Sequence, residues 1–171
     1  MHDDLDVLEG AISEEHQHLT FVVNNETFAI AVLDIKEIIE YSTITRIPQM
    51  ESFMMGVTNV RGKIIPVVDL SDRLGLGVTT EGNRTCIIVE THDEGEMYEV
   101  GLLVDMVDQV YAILPESQEQ SPSFGTRVHK EFISNMARIG EGFVSILNLS
   151  TLLSVEELSR NIYTHDMAKR Q

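Results

Sequence analysis

The apolar residues between positions 19 and 153 occur in short runs that are separated by polar, glycine-containing segments. This arrangement is typical of β-strands that are connected by turns. The first two runs flank "NNE" at 24–26, a composition that predicts a hairpin turn. A further hairpin is predicted in "GVTNVRGKIIPVVDL", residues 56–70, where the chain turns at Arg61-Gly62-Lys63.

The segments between these hairpins are less regular. Residues 33–41, "LDIKEIIEY", fit either a short helix or a bent strand, because their isoleucines have helical spacing over barely two turns. The stretch "STITRIP" predicts a strand that ends at Pro48, and the methionine-rich "QMESFMMG" predicts a connector. Ser71 is predicted to be the N-cap of the short helical turn "DRLG".

Both ends of the chain differ from the β-rich part between them. Residues 1–18 are acidic and poorly patterned, so we expect a mobile N-terminal arm. Residues 154–157 have the spacing of a capping box and predict a helix through about residue 168, followed by a short tail to residue 171. We expect the apolar face of this helix to pack on the core.

The pattern of the first half repeats in the second half. The segment "FAIAVLDIKEII" matches "YEVGLLVDMVDQV" if one residue is inserted before the shared Asp34 and Asp105, and "VVDLSDRL" matches "ILNLSTLL". A repeat of about 70–80 residues is too long for a solenoid unit and indicates a duplicated small domain. Short strands with little helix favour barrels or sandwiches. We expect two halves, mainly 27–85 and 86–153, that pack together and can exchange strands.

Charge and cysteine content exclude several classes of function. The formal net charge is −16, from 12 Lys and Arg against 28 Asp and Glu, which argues against nucleic acid and against an anionic membrane surface as partners. The start of the chain does not have the pattern of a secretory signal, and no apolar run reaches the roughly 18–20 residues of a membrane span. The single cysteine, Cys86, is expected to be a buried small hydrophobe, and a cytoplasmic location is predicted.

The chain carries no motif that indicates a catalytic or metal site. The six histidines are scattered, and the pair at 16 and 18 lacks cysteine or carboxylate partners at a usable spacing. The glycines at 75 and 77 fit a helix stop better than a dinucleotide-binding loop. We therefore expect a binding module with no cofactor and no metal, rather than an enzyme. A ligand-binding β-barrel, or an enzyme built from scattered carboxylates, is the competing interpretation.

The stretch "GVTNVRGKIIPVVDLSDRLG" resembles the signature of the CheW-like chemotaxis coupling protein family, a GV-x-N-L-RG turn before an I-x-P-V-x-DL strand. In the order of that family, "FVVNNETFAIAVLDIKEIIEY" precedes it and "VGLLVDMVDQV" and "GFVSILNLSTLL" follow, so the resemblance covers roughly residues 19–153. It implies a mainly β fold of two side-by-side five-stranded SH3-like barrels with short helices. The motif residues with expected turn or structural roles are Asn59, Gly62, Pro66 and Asp69.

The resemblance also implies a function. Proteins of this family are adaptors that link the cytoplasmic tips of chemoreceptors to the regulatory domain of the histidine kinase CheA. A groove between the barrels is expected to receive a helical hairpin of the receptor. The residues expected to line it are Ile35, Glu37, Arg61, Val107 and Val110. An adaptor of a related pathway, surface motility or second-messenger signalling, is the alternative.

From the residues alone, each of these positions has a structural interpretation as well. Arg61 fits a structural salt bridge, Glu37 fits a solvated helix or bend residue, and the three aliphatic residues fit a core. Pro66 requires an edge strand or a bulge. Ser71 stands where the family commonly has arginine, which puts any contact of that arginine in doubt, whereas Val60 in place of leucine is conservative.

Overall fold

The computed structural model describes residues 14–40, 43–48, 50–77, 84–120 and 128–153. The predicted C-terminal helix and the first 13 residues of the predicted arm lie outside these ranges. The described strands are β1 (Gln17–Val23), β2 (Glu26–Ala31), β3 (Ile35–Glu40), β4 (Met54–Val60), β5 (Lys63–Asp69), β6 (Thr85–Asp93), β7 (Glu96–Val104), β8 (Met106–Ala112), β9 (Gln118–Glu119), β10 (Ile133–Ile139) and β11 (Gly142–Leu147). Helices α1 (Leu70–Arg73) and α2 (Leu149–Leu152) follow β5 and β11, and single 3₁₀ turns lie at Glu14–His16, Val32–Asp34, Pro115–Ser117 and Lys130–Phe132.

These strands form two sheets, which confirms the predicted mainly β fold. One sheet has five strands in the order β3-β6-β7-β5-β4, and the other has six in the order β8-β1-β2-β11-β10-β9. The SH3-like barrel form of each sheet stays a prediction. The arm predicted for residues 1–18 ends earlier than expected, because Gln17 and His18 belong to β1 and the side chain of His18 is buried.

The two sheets repeat one strand order. In the six-stranded sheet β2 pairs in parallel with β11, and in the five-stranded sheet β7 pairs in parallel with β5. Each half of the chain therefore places its first hairpin, β1–β2 or β6–β7, beside the last hairpin of the other half. Strands from the predicted ranges 27–85 and 86–153 are therefore exchanged between the sheets, and the boundaries of the two halves stay a prediction. Pairing between segments this distant leaves no local sequence pattern.

Apolar residues on both faces of the strands form three cores. The largest takes side chains from both sheets, including Phe21, Phe28, Ile87, Leu102 and Leu147. A smaller core on the other face of the five-stranded sheet contains Ile65, Val67, Cys86, Ile88 and Leu103, and its counterpart on the six-stranded sheet contains Ala29, Ile113, Ala137, Val144 and Ile146. Successive residues of β6 alternate between the two faces, so both faces of that strand are apolar. Each such buried aliphatic or aromatic side chain stabilises the fold by about 2 kcal/mol.

Two hairpins confirm the turn predictions. Asn24 and Asn25 between β1 and β2 have φ angles of 49° and 65°, and Arg61 and Gly62 between β4 and β5 have φ angles of 54° and 84°. Positive φ at both central residues is the geometry of the type I′ turn, whose twist matches that of the flanking strands. Asparagine and glycine adopt this conformation readily, whereas arginine does so at a cost.

Two local predictions require correction. The stretch "STITRIP" is not a strand in its described residues, which form only an isolated bridge between Thr45 and Val57. Ser71 does not cap α1, because Asp69 is the N-cap and its side chain accepts a hydrogen bond from the Ser71 backbone N–H. Aspartate is as good an N-cap as serine, and the shift of the cap by two residues moves Ser71 into the buried first turn.

The ambiguous segment 33–41 begins with the end of a 3₁₀ turn, Val32–Asp34, and continues as β3 through residue 40. The bent-strand interpretation is therefore the correct one for its described residues. Pro66 lies in β5, which is not an edge strand. It pairs with Val57 of β4, while the ladder of β5 with β7 begins only at Val67. Proline has no backbone N–H to donate, so Pro66 is tolerated because it precedes the residues of β5 that pair with β7.

Candidate functional site

Charged side chains from three strands, β3, β5 and β7, and from the β4–β5 hairpin meet on the five-stranded sheet. They surround a depression of about 180 Å³. The residues that line it are Lys36, Glu37, Val60, Arg61, Lys63, Ile65, Ile88 and Glu99. Its floor is the apolar core of that sheet, to which Ile65 and Ile88 belong. The depression thus combines an aliphatic floor with a rim of both charges.

The β4–β5 hairpin presents Arg61 to solvent. The turn is held by Asn59, whose side-chain Oδ1 accepts a 2.8 Å hydrogen bond from the Gly62 backbone N–H. The Arg61 side chain is 80% exposed, and its Nη1 lies 2.8 Å from Oε2 of Glu37 on β3. This ion pair orients the guanidinium while leaving most of its donors available to a partner.

A β-bulge places Lys36 and Glu37 on the same depression. The pairing of β3 with β6 shifts register between Ile35 and Glu37, so Lys36 is the extra residue. In a regular strand two successive side chains point to opposite faces, and a bulge relaxes that alternation. Lys36 and Glu37 can therefore both reach the rim.

Glu99 on β7 binds two cations with one oxygen. Its Oε1 lies 2.5 Å from Nζ of Lys36 and 3.2 Å from Nζ of Lys63, and its side chain is only 6% exposed. Lys36 also lies 3.7 Å from Glu90 of β6. The hydrogen bond from Lys36, joined by that from Lys63, lowers the pKa of Glu99 from its usual value of 4.5. The same bond raises the pKa of Lys36 above 10.5.

The structure joins only part of the predicted groove. It pairs Glu37 with Arg61, whereas Val107 and Val110 lie on β8 at the edge of the other sheet. Ile35 and Val107 both pack against the largest core, and Val110 is half exposed beside Leu19. A groove that includes all five residues stays a prediction.

Three members of the charged cluster were not predicted: Lys36, Lys63 and Glu99. Lys36 is adjacent in sequence to Glu37, and Lys63 belongs to the predicted turn, which in each case is a weak signal. Glu99 carries no such signal, because it lies 62 residues after Glu37 and reaches the site only through strand pairing. Glu99 could therefore be found only after the exchange of hairpins was known.

The residues predicted to be structural have clear local partners. Asp69 is fully buried at the start of α1. Met54 is buried, and Met50 and Met55 pack against two different cores, in line with the core interpretation of the methionine-rich connector. Cys86 is buried as expected, and its removal from water raises the pKa of the thiol to about 12.

Within the described ranges, no three or more His, Cys, Asp or Glu residues are grouped so that they could hold a metal ion. No helix in the part of the chain that the structure describes has the length and apolar character needed to cross a membrane.

Comparison with known proteins identifies relatives across most of the chain. The CheW-like domain matches residues 17–157. The chain is 31% identical over 144 residues to the chemotaxis protein CheW of Klebsiella aerogenes, covering 84% of each chain. It is 27% identical over 141 residues to the protein FrzA of Myxococcus xanthus, covering 81% of this chain and 86% of that protein. The crystal structure of the scaffolding protein TtCheW from Thermoanaerobacter tengcongensis superimposes with a TM-score of 0.73 at 31% identity, over 82% of this chain and 89% of that one.

Proposed function

The chain belongs to the CheW-like domain family, and we propose that it is a non-catalytic scaffold of bacterial chemotaxis which couples the cytoplasmic tips of chemoreceptors to the histidine kinase CheA. The observation that carries this proposal is the match to the scaffolding protein TtCheW over four fifths of the chain. Relatives named as chemotaxis proteins cover the same part of the sequence. Receptor tips and kinase meet in the cytoplasm, which is therefore the proposed location.

The charged cluster supports the proposed contact with the receptor. Arg61 projects from a tight turn beside an aliphatic depression and is oriented by Glu37. A helical hairpin that presents apolar residues and a carboxylate would bury its apolar stripe on the sheet and bind the exposed guanidinium. Because the turn already fixes the arginine backbone, less conformational entropy is lost on binding. Aliphatic residues of β8 extend this surface in the proposed groove.

The test is reconstitution of CheA and a receptor signalling fragment with and without the full chain. We expect autophosphorylation of CheA to respond to the receptor fragment only when the chain is present. A kinase whose response to the receptor does not change on adding the chain would contradict the coupling role. Binding of the chain to each partner alone, measured in parallel, would then show which link is missing.

A scaffold of a related pathway is the second candidate. It is favoured by the match to FrzA, a relative whose name does not refer to chemotaxis. The same reconstitution separates the two, because an adaptor of a related pathway is expected to couple its own receptor and kinase but not the chemotaxis pair. A ligand-binding protein would instead show a melting temperature that rises with a small molecule and no association with a kinase.

A further inference from the structure

We propose that Glu99 is a positioning residue for Arg61. By holding Lys36 and Lys63 on one carboxylate oxygen, it keeps β3 and the β4–β5 hairpin at the separation at which Glu37 and Arg61 meet. This inference rests on the proposed function, in which Arg61 binds the receptor. Glu99 itself acts from within the sheet rather than through contact with the partner.

The placement of the strands explains why such a bridge is needed. Glu37 lies on β3 at the sheet edge, whereas Arg61 belongs to the hairpin between β4 and β5 at the opposite side. Two strands, β6 and β7, separate β3 from β5, so no backbone hydrogen bond connects them directly. Glu99 lies on β7 and binds the residue before Glu37 and the residue two positions after Arg61. The Lys36–Glu99–Lys63 bridge therefore links β3 directly to β5, whereas backbone hydrogen bonds link these strands only through β6 and β7.

Loss of the Glu99 charge has a specific consequence for Arg61. Lys36 and Lys63 carry like charges that share one acceptor oxygen, and without it they repel each other. Both ammonium groups border the same depression as Glu37. A lysine released from Glu99 can then pair with Glu37 and displace the guanidinium from it. Arg61 would keep its charge but lose its orientation, which is the property that the proposed receptor contact uses.

A double-mutant cycle on the full chain tests this directly. The dissociation constant for a receptor signalling fragment is measured for the wild type, Arg61→Ala, Glu99→Gln and the double variant. We expect Glu99→Gln to weaken binding by about fivefold in the wild-type background and to have no effect once Arg61 is absent. The matched control is Glu96→Gln, also on β7, whose carboxylate accepts a hydrogen bond from the Tyr98 hydroxyl. Glu96→Gln should leave binding unchanged.

The outcomes distinguish failure of the positioning role of Glu99 from failure of the proposed receptor contact of Arg61. If Arg61→Ala loses binding but Glu99→Gln does not, the positioning role is wrong and the receptor contact stands. Losses that add in the double variant would mean that Glu99 acts independently of Arg61, which also contradicts the inference. If Arg61→Ala binds normally, the proposed receptor contact itself fails.

If Arg61→Ala binds normally, the positioning role of Glu99 can still be tested by NMR on the free protein. The Gly62 amide resonance reports on the hairpin, because its N–H is bonded to Asn59. We expect Glu99→Gln, but not Glu96→Gln, to shift this resonance in the free protein, and an unchanged resonance would overturn the inference. Should Glu99→Gln fail to fold, Lys36→Gln breaks the same bridge from the β3 side, far in sequence from Gly62, and is expected to shift the Gly62 resonance as well.

Discussion

The two sheets share a strand order but differ in the hairpin that closes their last two strands. In the five-stranded sheet the β4–β5 turn is Arg61-Gly62, and in the six-stranded sheet the β10–β11 turn is Gly140-Glu141. The first central residue has a positive φ in both, 54° for Arg61 and 62° for Gly140. Glycine adopts this angle freely, whereas a non-glycine residue is destabilised by about 1 kcal/mol. In the β4–β5 turn both central residues have a positive φ, whereas in the β10–β11 turn only Gly140 does, so the two turns differ in type. Only the β4–β5 turn places a cation at a position with a positive φ.

The carboxylates on the corresponding strands β3 and β8 also differ between the sheets. The repeat aligns Glu37 of β3 with Asp108 of β8, but the two carboxylates have different roles. Glu37 binds Arg61, whereas Asp108 accepts a 3.4 Å hydrogen bond from the Thr20 hydroxyl inside its own sheet. The two sheets therefore share their strand order, whereas the position on β8 that aligns with Glu37 has a different role.

The largest expected effect concerns the close contact between Gly56 of β4 and the backbone of Thr45. Gly56 of β4 has a φ of +145°, and a Cβ at this position would lie 2.0 Å from the Thr45 carbonyl oxygen. We expect Gly56→Ala to lower the free energy of unfolding by about 4 kcal/mol, because strain and overpacking add. Gly140→Ala is the matched variant, since a Cβ there meets nothing within 4 Å, and it should cost about 1 kcal/mol. Equal losses in urea denaturation would contradict this difference between the sheets.

The second effect concerns the hairpins themselves. We expect Arg61→Glu to weaken binding of a receptor signalling fragment by about 100-fold, because the new carboxylate faces Glu37 and the binding cation is gone. Arg138→Glu introduces the same charge change beside the other hairpin, where Arg138 stacks on Phe143 at 5.1 Å. That control should leave receptor affinity within about twofold of the wild type. Comparable losses for both variants would mean that net charge, not the Arg61 site, controls binding.

The third effect concerns the N-caps of the two short helices, α1 after β5 and α2 after β11. Asp69 caps α1 and Asn148 caps α2, where its Oδ1 accepts a hydrogen bond from the Thr151 N–H. We expect Asp69→Ala to destabilise the protein by about 2 kcal/mol and Asn148→Ala by about 1 kcal/mol, since Asp69 is fully buried. Thermal unfolding of both variants measures the two losses of stability. A larger loss for Asn148→Ala than for Asp69→Ala would show that burial of the cap does not determine its contribution.

The smallest effect is the pH dependence that Glu99 adds to the five-stranded sheet. Its folded-state pKa is lowered, so its stabilising effect is present above about pH 4.5 and is lost as the pH falls through the folded-state value. The melting temperature of Glu99→Gln should therefore lie about 1–2 °C below that of the wild type at neutral pH, and the gap should close in acid. A gap that does not narrow as the pH is lowered would mean that the substitution acts through packing instead.

Sequence patterns predicted the parts of this molecule that depend on near neighbours. The turns at Asn24-Asn25 and Arg61-Gly62 follow from residue chemistry, and the repeat follows from two matched segments. The sequence allowed an exchange of strands but did not predict which hairpins are exchanged, because strand pairing over long separations is decided by the whole core. The same limit hid Glu99 and the bulge at Lys36. The error at Ser71 is local instead, because Asp69 and Ser71 lie two positions apart and both residue types are good N-caps.

The exchanged hairpins have a consequence for how the chain acquires its fold. The β1–β2 hairpin leaves the ribosome before the other described strands, yet the strand that pairs with β2 in parallel is β11, more than a hundred residues later. The six-stranded sheet can therefore be completed only after nearly all of the described chain has been synthesised, and such non-local closure is slow. In the meantime the early hairpin exposes an unpaired apolar edge that is open to wrong partners. Two fragments cut between the halves would each lack strands of both sheets and would fold only when mixed.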